Sequence, residues 1–237
     1  MTVPTLFEDH RFIVVNKPAG LLSIPGRVSP NPVSRAGGSS GPVSSGLLTD
    51  SEPSLLEVLQ ARTPEAKVFV VHRIDRETSG VILFAKNEES HRLASGWFQS
   101  HAVKKEYLTL ASGAPRLPAI RVNRPIEGKP SLSQVQVLEK FRGAFLARVR
   151  IATGRRHQIR IHLSEEGFPI LGDPRYGGAK EFSGLVFNRV ALHAEKLVLP
   201  ADGKLSSLEI LAPMAPDMES WVSSLRALAS GGSSDAR

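Results

Sequence analysis

The chain has 237 residues, 41% of them hydrophobic and 22% charged, enough for one large domain with a proper core. It contains no cysteine, which excludes disulfides and thiolate-held zinc or iron–sulfur centres. Its net charge is +7, and residues 142–180 supply five of those charges, with eight basic side chains, seven of them arginine, against three acids. Arginine suits phosphate through its planar fork, and a solvated basic face has the same composition.

The N-terminus "MTVPTLFEDH" lacks the basic and apolar regions of a signal peptide, and no run approaches the ~18 apolar residues of a spanning helix. A cytoplasmic, membrane-free protein is the expectation. The first strand is expected at 12–16, "FIVVN", ended by the turn "KPAG". Between Pro25 and Pro53, 17 of 29 residues are Gly, Ser or Pro, which reads as a flexible surface insertion. "SLLEVLQAR" (54–62) follows as a short helix capped by Ser54.

Next comes "HRIDRETSG" (72–80), a dense polar cluster between two apolar runs expected as buried strands, "VFVV" (68–71) and "VILFA" (81–85). Turns are usually built for backbone shape, whereas this one carries ionisable chemistry. Taken alone, Asp75 reads equally well as a turn cap, with Thr78 and Ser79 bonding back to the backbone. Asn87 caps a second helix with Glu88 and Glu89 in its first turn, and Leu93, Trp97 and His101 are expected to share its core face. Strands are expected at 105–111, 133–139, 145–151, 190–199 and 206–211. In the third of these Phe145, Ala147, Val149 and Ile151 face one way and Arg148 and Arg150 the other. A helix over 217–229 precedes a disordered tail from 231. The class is α+β, with a large mixed, mainly antiparallel sheet.

A second polar cluster, "TGRRHQIRIHLSEEGFPILGDPRYGG" (153–178), is expected to hold a helix from about His157 to Glu166. Gly167 would stop it, Ile159 and Leu163 would be its buried pair, and Arg156 and Arg160 would share a neighbouring face. Asp173 and Pro174 are expected to fix the bend in "GDPRYG". His157 and His162 are five apart, which does not place them on one helix face as a two-histidine metal site requires.

Taken in order, "NKPAG", "HRIDRETSG", "AKN", "KKEYLTL", "TGRRHQIRIHL", "GDPRYGG" and "LHAEKLVL" resemble the RluA family of RNA pseudouridine synthases, from about residue 8 to about 215. The resemblance implies a single catalytic domain over residues 1–230, with a long sheet flanked by helices and loops and an active cleft across it. It also implies a reaction that breaks the N1–C1′ bond of a uridine, turns the uracil and rejoins it through C5, with no cofactor and no metal. Asp75 aligns with the essential aspartate, acting as nucleophile or base, Tyr107 with the tyrosine against the target base, and Arg160 with the arginine that pairs with the aspartate. His72, Arg73, Thr78, Arg155, Arg156, His157 and Gln158 are the expected substrate-binding residues. Ribosomal or transfer RNA is the implied partner of a monomer, and a catalytically silent RNA-binding or RNA-folding protein is the alternative.

Departures from the family pattern are Ile74 for leucine, Arg156 for threonine or serine, and the longer insertion at 25–53. The family's frequent N-terminal S4 domain has no room before a first strand at residue 12. Physically, an extruded uridine costs a few kcal/mol, offset by phosphate contacts and by stacking worth roughly 1–3 kcal/mol per base. An arginine, ideally bidentate, would hold Asp75 charged and oriented.

Overall fold

Alternating and continuous apolar runs build a ten-stranded sheet in the computed structural model, which describes residues 3–25, 53–203 and 206–231. The expected insertion at 25–53 lies, from residue 26 to 52, outside the described residues, as do residues 232–237 of the expected tail. An edge strand absent from the sequence reading, β1 (Thr5–Glu8), pairs with β2 (Phe12–Lys17), so the sheet begins before residue 12. Its exposed–half-buried pattern carries no apolar run to reveal it. Helix α1 (Leu55–Arg62) starts at Ser54, whose hydroxyl accepts from the Glu57 N–H while Glu57 accepts from the Ser54 N–H. Such a reciprocal cap contributes about 1 kcal/mol.

The run "VFVV" forms only the two-residue β3 (Phe69–Val70), half-buried at the sheet margin, so the polar cluster is not framed by two buried strands. The other side, β4 (Ser79–Ala85), is buried at all seven positions. Helix α2 (Glu88–Gln99) is capped by Asn87, whose Oδ1 accepts from the Ser90 N–H at 2.9 Å. Trp97 is buried, but the helix stops before His101, which is exposed with φ 59° and has no place in the core stripe.

The remainder is mostly sheet: β5 (Lys104–Ser112), β6 (Ala119–Asn123), β7 (Leu132–Phe141) and β8 (Ala144–Ile151), then α3 (Gln158–Glu165). A small hairpin, β9 (Glu181–Phe182) and β10 (Leu185–Val186), precedes β11 (Leu192–Leu199), β12 (Leu208–Leu211) and α4 (Pro216–Gly231). The strand order is β1-β2-β4-β11-β5-β8-β7-β6, with β3 added to β4 and β12 to β11. Antiparallel pairing prevails, and β4 with β11 is the parallel exception. There Gly80, at φ +113°, faces Ala194 so closely that a Cβ would run into the Ala194 carbonyl. Among the described residues no helix is long and apolar enough to cross a membrane.

Two apolar cores result, one around Phe12, Ile82 and Phe84, the other around Phe145, Leu163 and Phe187, and Tyr107 packs against both. Tyr107, Ala194 and Gly80 lie in one row across the sheet. The polar loop 72–78 is therefore delivered to the seam between the cores. It is held there by the "NKPAG" turn. The fully buried Lys17 ammonium donates to the carbonyls of Pro18, Leu21 and Arg76 at 2.9, 2.7 and 3.0 Å. Gly20 and Arg76 exchange two further bonds, and Ser23 Oγ donates to the Ile74 carbonyl.

Replacing Lys17 by methionine takes a donor from three carbonyls, of which the Arg76 one keeps the Gly20 N–H. Urea denaturation should show a loss of about 2–4 kcal/mol. Burial lowers the Lys17 pKa from 10.5 to about 7, so across that interval the unfolded chain binds the extra proton. The Lys17 contribution therefore makes stability rise with pH through that window, and the slope of stability against pH should be flatter in Lys17→Met than in the parent.

Candidate active site

The first polar cluster enters the seam from the loop before β4, and the second from the turn between β8 and α3. Gln158 fixes that turn. Its Oε1 accepts from Thr153 Oγ1 and from the Arg155 N–H at 2.7 and 3.1 Å, and its Nε2 donates to the Leu132 carbonyl and to Ser133 Oγ. Gln158, expected to bind substrate, lines the inner cleft, and its amide is also engaged by the protein in holding the strand-to-helix turn. His157, just before α3, adopts φ 57°, a left-handed conformation that costs energy outside glycine and commonly marks a functional site. Arg156 therefore lies outside the helix, exposed, and does not share a face with Arg160. The helix itself matches its expected range to within a residue at each end. Ile159 and Leu163 are buried, and Gly167 follows at φ +79°.

At the floor of the cleft Arg160 meets two carboxylates. Its Nε and Nη2 reach Asp173 Oδ2 and Oδ1 at 2.7 and 2.8 Å, a full bidentate fork. Its Nη1 reaches Asp75 Oδ2 at 3.3 Å. The bidentate contact expected for Asp75 thus belongs to Asp173, because the fork offers its two parallel donors to the residue buried beside it. Asp173 does not serve as a turn cap: it is fully buried, while "PRY" (174–176) forms one 3₁₀ turn beyond it. Sequence reasoning missed its role, although an acid in the arginine-rich stretch, set before that turn, was the available signal.

Burial alone would lower the Arg160 pKa, but the Asp173 and Asp75 carboxylates raise it above the ordinary value. Its guanidinium also lies 5.0 Å from the centroid of Tyr176, whose hydroxyl is 2.8 Å from His157 Nδ1. His157 Nε2 stands 3.7 Å from Asp75 Oδ2. Burial lowers the His157 pKa; Asp75 opposes this, and the Arg160, Arg156 and Arg175 charges add to it, so the ring is neutral near pH 7.

Asp75, with 30% of its side chain exposed, opens into an inner cleft of about 90 Å³ lined also by Thr78, Tyr107, His157 and Arg160. Thr78 is buried there, its N–H bonded to the Asp75 carbonyl at 3.1 Å. Burial, and then the Asp75 charge, push the Tyr107 phenol up, so it stays protonated. On one side the cleft widens to about 730 Å³, where Arg73, Arg155, Arg156 and Arg175 line it. His72 is placed behind the loop. Its Nε2 accepts from the Leu83 N–H at 3.0 Å and its ring stacks on Phe98 at 4.5 Å. Burial, with the Lys105 charge, lowers its pKa to about 3, which keeps it a neutral acceptor. Not all of the basic stretch reaches the cleft: Arg148 and Arg150 turn to the other face, paired with Glu195 and Glu106.

Residues 11–165 match the family model described as RNA pseudouridylate synthase. The chain belongs to that family. Ribosomal large subunit pseudouridine synthase C of Vibrio vulnificus is 34% identical, the match covering 93% of this chain and 69% of the relative. Ribosomal large subunit pseudouridine synthase D of Zymomonas mobilis is 32% identical over 90% and 70%. Human RNA pseudouridylate synthase domain containing 4 shares the fold, with a TM-score of 0.74 at 22% identity over 94% of this chain and 93% of that one. The synthase is thus an RNA-directed isomerase of α+β fold. The family match ends at residue 165, so Arg160 lies inside it and the partner of its fork, Asp173, beyond it.

Asp173→Asn should expose how much the site depends on that fork. Breaking a buried ion pair from one side costs about 3–5 kcal/mol, readable by urea denaturation. Asp75→Asn, which gives up one longer contact at a partly exposed group, should change stability by less than about 1 kcal/mol.

Proposed function

We propose that this synthase isomerises a uridine of ribosomal RNA, with Asp75 as the group that acts on the nucleoside, Arg160 as its orienting partner and Tyr107 as the surface for the base. The observation that carries the reading is the Arg160 guanidinium shared between Asp173 and Asp75. A carboxylate held by a single nitrogen of an otherwise immobilised arginine is aimed by it, yet keeps an oxygen open to the cleft. Thr78, Arg73, Arg155, Arg156, Arg175 and His157 line the path around it, and the arginines are suited to the phosphates flanking an extruded nucleotide.

In the reaction Asp75 acts at the ribose while the N1–C1′ bond opens. The uracil turns against the Tyr107 ring, which excludes water on that side. C5 then bonds to C1′, the C5 hydrogen leaves to solvent, and N1 takes up a proton. Tyr107, protonated, offers a donor or a stacking face rather than a base. Ribosomal RNA is favoured over transfer RNA because two of the relatives described above carry large-subunit names.

The test is release of tritium from RNA labelled at uridine C5, prepared from cells lacking this protein. The parent should release tritium from the ribosomal fraction and Asp75→Asn should release none, a loss of at least about a thousandfold, while RNA binding survives. Release from transfer RNA alone would reassign the substrate. Equal release by the variant would remove Asp75 from its role.

A further inference from the structure

Five cationic side chains are buried among the described residues: Arg11, Lys17, Lys105, Arg160 and Arg189. Buried cations are ordinarily matched by carboxylates or by a full set of acceptors. Arg11 reaches Asp202 at 2.6 Å, Arg160 has its fork to Asp173, and Arg189 has a fork to Asp217 at 2.7 and 2.8 Å. Lys17 donates to three carbonyls. Lys105, 7% exposed, differs: its Nζ makes one long bond, 3.3 Å, to the Thr153 carbonyl and lies 5.8 Å from the Phe98 ring centroid. No carboxylate among the described residues pairs with it. The nearby charge is another cation, Arg155, which adds to burial in lowering the Lys105 pKa.

Lys105 opens into a groove of about 570 Å³ whose lining includes Arg73, His101, Arg155 and Tyr107 and holds no Asp or Glu. This groove meets the arginine-lined side of the active cleft at Arg73, Gly154 and Arg155. Of these two, the groove reaches Lys105 and the cleft reaches Arg156, Arg175 and Asp75; Lys105 also borders a third hollow, where Glu106 and Glu209 stand. Three cations around one acid-free hollow repel one another until an anion joins them. The anion such a hollow takes beside a cleft for an RNA nucleotide is a phosphodiester.

We propose that Lys105, with Arg73 and Arg155, forms a phosphate-binding site for the RNA strand as it leaves the Tyr107 side of the cleft. This rests on RNA being the substrate, and it adds which residues take the backbone beside the target and where. The strand then crosses the seam with basic contacts on both sides of the extruded nucleotide, the cleft arginines on one and Lys105 on the other. A backbone phosphate supplies the missing acceptor for the Lys105 ammonium only when RNA is bound, so its charge is matched in the complex and unmatched in the free protein.

The test is the salt dependence of binding to a fluorescein-labelled single-stranded oligouridylate, read by anisotropy in an Asp75→Asn background that binds without turnover. Adding Lys105→Met should weaken binding roughly tenfold at low salt and reduce the slope of log Kd against log salt by about 0.7, the value of one phosphate contact. Arg142→Met, in the turn at the opposite end of β8, is the control whose slope should stay. An unchanged slope in folded Lys105→Met, or an equal fall in the control, overturns the site. Should thermal melting show that Lys105→Met does not fold, Arg155→Met decides: a reduced slope supports the site and an unchanged one overturns it. Tritium release by the parent judges the reaction separately. A releasing parent with unchanged variant slopes loses only the phosphate site, and a non-releasing parent with a reduced slope keeps the site and loses the reaction.

Discussion

A guanidinium buried to 7% exposure must have its donors met, and Arg160 meets them with two carboxylates of unequal standing. Asp173, with no exposure, takes the fork, and Asp75, at the cleft, takes what remains. The inequality is what makes the arrangement useful. A carboxylate that consumed the fork itself would be neutralised and enclosed. One held by a single longer contact is directed and keeps an oxygen open to the cleft. The "GDPRY" turn, distant from the aspartate loop in sequence, is thus part of the site through an interaction that never touches substrate.

Around that interaction the fold works as a set of clamps. Lys17 and the Gly20–Arg76 exchange fasten the aspartate loop to the end of β2. The Gln158 amide fastens the turn into α3 to β7. Tyr107 lies between them on β5, packed on both cores. Each functional side chain therefore stands on an element whose position is set by buried polar bonds rather than by loop preference, which is how a site is kept in working geometry before substrate arrives. The contrast with Lys105 follows from the same bookkeeping of buried charge. Where four buried cations are matched inside the protein, the fifth faces an acid-free groove.

Much was legible in the chain itself. Period-two alternation in 145–151 marked β8 and its two faces, local capping chemistry marked α1 and α2 at Ser54 and Asn87, and the ordered polar motifs marked the family. These are local patterns, or patterns carried by residue type at fixed spacing, and the sequence determines them without reference to distant neighbours. What it did not determine were features that depend on where elements end and which neighbours meet in the folded chain. β1 is a strand because β2 offers it an edge, and His101 leaves the core because α2 ends two residues earlier. Asp173 reads as a turn residue until Arg160 is beside it, and the Gln158 amide shows its hold on the turn only once Leu132 and Thr153 are beside it. Burial and hydrogen-bond saturation are properties of the assembled molecule, so only the tertiary structure decided which polar side chains hold the site together and which remain free to meet RNA.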